Sequence, residues 1–190
     1  MYYSKETIAQ IVDRVHLSLH DFDSSTFDLN PPFNAEAAII AFGGQITAKH
    51  TDFTALNYSI GEVRPLQPYS EKRFEVSIPF DEYPPRKNFT LAHELGHVIL
   101  HYQWADQNQW EKNCREIEVL QRNLSPNRIE YEANYFSAFF LMPENHIRSD
   151  VSRILADASM SSNLLIEQLA EKYNVSLKAM EIRLSQLGIL

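Results

Sequence analysis

The run His93-Glu94-Leu95-Gly96-His97 constrains this chain more than any other stretch of its 190 residues. In a helix, residues four apart lie about 40° apart around the axis and about 6 Å along it. Both imidazoles can therefore converge on one ion at zinc–nitrogen distances of about 2.0–2.1 Å. Glu94 is turned about 100° from His93, so it stays off such an ion while reaching a water beside it. The same five residues also occur on solvated helix faces, where they would hold nothing. Here the flanks argue otherwise, because Phe89, Leu91, Ala92, Val98, Ile99 and Leu100 are apolar, as in a helix sunk in a core. Histidines and a glutamate buried there need a partner.

A catalytic zinc takes three protein ligands, so one more must come from elsewhere. His101 lies about 12 Å beyond His93 along a continuous helix, too far to share an ion with both other histidines. It is expected to be a hydrogen-bonded structural histidine. The helix predicted over 126–142, which Ser125-Pro126 opens and Pro143 stops, offers Glu130 and Glu132. Glu130 shares a face with Ala133, Asn134 and Ser137, small or polar residues that admit a neighbouring helix and let Asn134 orient a ligand. Glu132 shares its face with Tyr135, Phe136 and Phe139. Either glutamate, taken alone, is equally readable as a solvated helix charge.

Around this constellation the chain alternates between two periodicities. Ile8, Ile11, Val12, Val15 and Leu19 recur at helical spacing over 5–19, and a short helix is expected over 35–42, ended by Gly43-Gly44. Strand alternation follows at Leu56, Tyr58 and Ile60, then more clearly at Phe74, Val76, Ile78 and Phe80. Pro79 cannot donate to a ladder, so this second strand is expected to lie at a sheet edge or to end there. Pro84-Pro85 is expected to break the chain before a helix over 87–102. The polar stretch 103–124 reads as a surface excursion with a possible helix over 111–121. Helices over 164–173 and 177–187 close the chain. Domains are expected at 1–145, carrying the metal motif, and at 146–190, a helical segment of helix-turn-helix type.

Composition narrows the classes. The net charge of −8 disfavours a general grip on phosphate backbones and suits a basic partner. Cys114 is the single cysteine, so neither a disulfide framework nor a cysteine-rich metal site is available. Glu6 and Asp13 fall where a signal peptide would need apolar residues, and no run approaches the roughly 18 apolar residues of a membrane span. A cytoplasmic location is the expectation.

RKNFTLAHELGHVILH followed by EYEANYFSAFFLMP resembles the ImmA/IrrE family of bacterial and phage-associated metallopeptidases over 87–143, and LAEKYNVSLKAMEIRLSQLGIL resembles it again near the end. Phe139-Phe140 is bulkier than the family's usual residues, and the excursion before Glu130 is longer. The resemblance implies an α+β, zincin-like fold with a small antiparallel sheet. It also implies a zinc ion on His93, His97 and Glu130, with Glu94 as the catalytic base. It implies a protein substrate, a helix-turn-helix repressor of the kind such peptidases inactivate, cut in an extended segment. The strand over 74–80 is expected to offer that segment an edge. The alternative is a DNA-binding or protein-interaction regulator acting through the C-terminal helices. Lys178 and Arg183 are the only cations expected on its recognition helix, so direct DNA binding is disfavoured. Tyr102, Tyr131, Tyr135 and His146 are unranked candidates for an electrophilic helper.

Overall fold

Ser4 starts the first helix, α1 (Lys5–Phe22), by accepting the Thr7 N–H on its hydroxyl, and the stripe Ile8, Val12, Val15 and Leu19 is buried. The computed structural model describes residues 2–49, 61–66, 71–106, 108, 110–112, 126–155 and 161–190. Helix α2 (Ala35–Ala41) is capped by Asn34 and buries Ala35, Ala38 and Ile39. Gly43, at a φ of +82°, then turns the chain into β1 (Gly44–Lys49).

Strand β1 pairs in parallel with β3 (Phe74–Pro79), Gly44 opposite Phe74, and β2 (Glu62–Pro65) pairs antiparallel with the other side of β3, Val63 opposite Val76. The sheet is therefore mixed, with order β1-β3-β2, rather than antiparallel throughout. Of the two expectations for this strand, the edge is corrected, since β3 is the central strand, and the end is borne out, since Pro79 is its last residue. Glu75, on the polar side of the strand's alternation, is itself buried. The Glu75 carboxylate accepts from Gln45 Nε2 at 2.7 Å and Arg64 Nε at 2.8 Å, donors supplied by both neighbouring strands. The strand expected around Leu56 to Ile60 and most of the excursion after Gln103, Cys114 included, lie outside the described residues.

Pro84 and Pro85 do not precede the next helix but open it, as α3 (Pro84–Gly96), at positions whose N–H groups have no intrahelical acceptor. The helix continues as one π-helical stretch, His97–His101, in which the Tyr102 N–H reaches back five residues to the His97 carbonyl at 3.0 Å. Helix α4 (Pro126–Leu141) packs across α3 and α1. A Cβ at Gly96 would sit 3.1 Å from the Phe136 Cβ, so the glycine sets how closely the two helices approach.

After Pro143 the chain forms α5 (Glu144–Leu155), which the sequence reading passed over, then α6 (Ser162–Tyr173) and α7 (Leu177–Gln186). Asn174, left-handed at a φ of 51°, and the Ser176 cap make the tight turn between the last two. Asp150 holds α5 to α6 by accepting from Lys172 Nζ and from the Tyr173 hydroxyl. Buried Arg183 holds α7 to the end of α4, donating to the Met142 carbonyl at 3.0 Å and lying over the Phe139 ring. Among the described residues, no helix is long and apolar enough to cross a membrane.

Candidate metal centre

Helix α3 and the start of its π-helical continuation present His93 and His97 on one face, and α4 brings Glu130 up to them. Ligand atoms of the three lie within 4.8 Å of one another. The His97 Nε2 is 3.0 Å from the His93 Nε2, and the Glu130 oxygens are 3.1 Å from His93 Nε2 and 3.5 Å from His97 Nε2. Tetrahedral ligands at bond lengths of about 2.0–2.1 Å would stand about 3.3–3.4 Å apart. These donor separations bracket that value.

The outer nitrogens sharpen the test. His93 Nδ1 lies 3.2 Å from Asn134 Oδ1, an acceptor, so the ring donates there and turns its Nε2 lone pair inward. That nitrogen meets a carboxylate and a second imidazole nitrogen, an arrangement that repels itself unless a cation or a proton sits among the donors. A proton on His93 would relieve the same crowding. Burial works against its protonation, but the hydrogen bond to Glu130 and the charges of Glu94 and Glu130 outweigh it and raise its pKa. The hydrogen bond from His93 in turn holds the Glu130 carboxyl below its usual range. Burial, then the neighbouring rings of His93 and His101, pushes His97 down to about 3, so it remains a neutral donor. The residues present fit a bound divalent cation. Glu130 is 57% exposed at its side chain while His93 and His97 are mostly covered, so the cluster opens on the α4 side.

Glu94 is buried beside this cluster and does not join it. Burial pushes its carboxyl up to about 7, with Glu130 and Glu62 adding to the rise and His93 and Lys49 opposing it. A carboxyl near neutrality can both take and return a proton at physiological pH. Gly61, just before the edge strand β2, approaches so closely that a Cβ there would collide with the Glu94 carboxylate and lie 2.8 Å from Thr90 Cγ2. The sequence alone did not indicate Gly61.

Glu132, the other candidate from α4, faces away from the donors. It is almost fully buried and accepts from the Tyr3 N–H and from Arg128 Nε, with His101 Nε2 at 3.3 Å from its other oxygen. His101 is hydrogen-bonded, as expected. The four proposed helpers sit in other contacts. Tyr131 and Tyr135 bond to each other beside Lys5, Tyr102 packs on Trp110, and His146 meets the edge of Phe33.

Two helices crossing so that one supplies a histidine pair and the other a carboxylate, beside a small mixed sheet, is the arrangement of the α+β, zincin-like metallopeptidases. Residues 78–185, more than half of the chain, match the family model of the IrrE N-terminal-like domain, a peptidase family, and the chain belongs to it. The resemblance over 87–143 is thereby borne out, and the matched region runs on through α5 and α6 into α7. No curated protein matches the chain.

Proposed function

We propose that this chain is a zinc-dependent endopeptidase that cuts a partner protein in an extended segment. The observation that carries the reading is the inward convergence of His93, His97 and Glu130 beside a buried Glu94 held near neutrality. When bound there, zinc supplies Lewis acidity that polarises the scissile carbonyl and lowers the pKa of water. Glu94 takes the proton from the attacking water and passes it to the leaving amine. Its burial keeps the carboxylate poorly solvated and therefore basic.

A substrate strand finds its edge on β2 rather than β3. Strand β2 is an edge of the described sheet, and its N-terminal end adjoins Gly61 and hence the Glu94 carboxylate. Main-chain pairing along it would favour an extended segment and would resist a compact domain unless that domain opened locally. The family resemblance supports a helix-turn-helix repressor as the substrate, and the net charge of −8 would speed encounter with such a basic protein at low salt. The alternative, DNA binding through α6 and α7, draws less support. Arg183 is turned inward onto Met142, and Lys178 is paired with Glu181.

The test is co-expression with a helix-turn-helix repressor from the same genome, comparing the parent with Glu94→Gln by immunoblot and reporter output. Purified Glu94→Gln should retain zinc and lose activity by about two to four orders of magnitude. Equal cleavage by both proteins would remove Glu94 from its role. An uncut repressor with unchanged transcription would reject that substrate class.

A further inference from the structure

We propose that His101 and Glu132 are positioning residues that fix the ring of His97 for its metal, anchored in turn by the N-terminal residue Tyr3. The proposal rests on the metal reading above. It starts from a line of contacts behind the site. His97 Nδ1 lies 3.0 Å from His101 Nδ1, and His101 Nε2 lies 3.3 Å from Glu132 Oε2. Glu132 Oε1 accepts from the Tyr3 N–H at 3.0 Å and from Arg128 Nε at 2.9 Å. Arg128 also donates to the Tyr3 carbonyl, and the Tyr3 hydroxyl donates to the Leu100 carbonyl on the π-helical stretch. His101 and Glu132 are both buried, so solvent does not compete for these bonds.

The chemistry of the line runs in one direction. The Tyr3 N–H and the Arg128 guanidinium can only donate, so the Glu132 oxygen they share is an acceptor. The other oxygen then accepts the Nε2–H of His101. With its proton on Nε2, neutral His101 presents a lone pair at Nδ1. That lone pair can accept only if His97 carries its proton on Nδ1, which leaves the His97 Nε2 lone pair aimed at His93 and Glu130. One carboxylate thus determines the tautomer of a ring two contacts away. The two histidines of the pair are set differently. His93 leans on one neutral amide, Asn134, whereas His97 leans on a charged group through an intermediate imidazole.

The experiment compares the full chain with His101→Leu, which offers neither donor nor acceptor, and His101→Gln, whose amide offers one of each. Zinc affinity is measured by chelator competition, and the tautomer of His97 in the zinc-loaded parent by two-bond 1H–15N NMR correlations. Outer partners of metal-bound histidines govern about 10- to 100-fold in affinity. His101→Leu should weaken zinc binding by that factor, His101→Gln should recover most of it, and His97 should carry its proton on Nδ1. A folded His101→Leu protein that binds zinc like the parent would overturn the proposal alone, as would His97 protonated elsewhere than Nδ1. If His101→Leu fails to fold, the NMR assignment on the parent decides. A parent that takes up no zinc overturns the metal reading and this proposal together.

Discussion

Among the described residues, two groups of histidines lie in the interior, and they are held in opposite ways. At the crossing of α3 and α4, the ring nitrogens of His93 and His97 both meet polar partners, and their inner nitrogens point at each other. Between α1 and α5, His16 stacks on Phe33 at 4.1 Å and 12° and tilts against Phe140, while His146 meets the Phe33 edge at 6.2 Å. There His16 Nε2 and His146 Nδ1 are buried with no hydrogen-bond partner among the described residues. Burial of a histidine therefore does not mark a site. Convergence of inward lone pairs with outward hydrogen bonds does, whereas the second pair behaves as aromatic filling.

The contrast is most severely tested by metal. His97→Ala or Glu130→Ala should weaken zinc binding by roughly a thousandfold, about 4 kcal/mol, in chelator competition, and Glu132→Ala by much less. His16→Ala should leave affinity unchanged. A drop at His16, or a larger effect at Glu132 than at Glu130, would dissolve the distinction.

Acid is the next probe. Burial lowers His16 to about 4 from an ordinary 6.5. The folded state therefore resists a proton that the unfolded chain accepts, and stability is lost as pH falls from about 6.5 towards 4. Between pH 7.5 and 4.5 this amounts to about 2–3 kcal/mol. Urea titrations at the two pH values should show the parent losing that much more than His16→Phe, which retains the stack on Phe33. Parallel losses in both proteins would mean that His16 is accessible to protons in the fold. The smallest effect is expected at His146. His146→Phe removes an unsatisfied nitrogen and should change stability by no more than about 1 kcal/mol, towards stabilisation, in the same titrations.

What the sequence made legible follows the range of the forces involved. His93, Glu94 and His97 were readable because a helical period fixes their relation locally. Asn134 was readable as an orienting group because it sits one turn from Glu130 on the same face. Glu130 was preferred on its face of small and polar residues, Ala133, Asn134 and Ser137, together with the family resemblance, while what becomes of Glu132 was not legible. Their difference lies in Tyr3 and Arg128, which capture Glu132, and the Tyr3 contact joins residues 129 apart in sequence. The central place of β3 was hidden for a similar reason. The acidic Glu75 is buried because Gln45 and Arg64 reach it from both flanking strands, partners that the local sequence does not show. Helix α5 carries its period in Ile147, Val151 and Ile154, but Pro143 in front of it reads locally as the end of one helix rather than also as the threshold of the next.

The π-helical stretch from His97 to His101 has a consequence for comparing relatives. Such a stretch holds one residue more than an α-helix would over the same turn. A relative that lacked one residue between these histidines and ran as a plain α-helix would place its counterpart of His101 about 300° around the axis from His97, where four residues at π-helical pitch give about 327°. The side chain would stay on nearly the same face. The line of contacts from the metal centre to Tyr3 would then tolerate a turn one residue shorter, and relatives with either spacing would present the same face to Glu132.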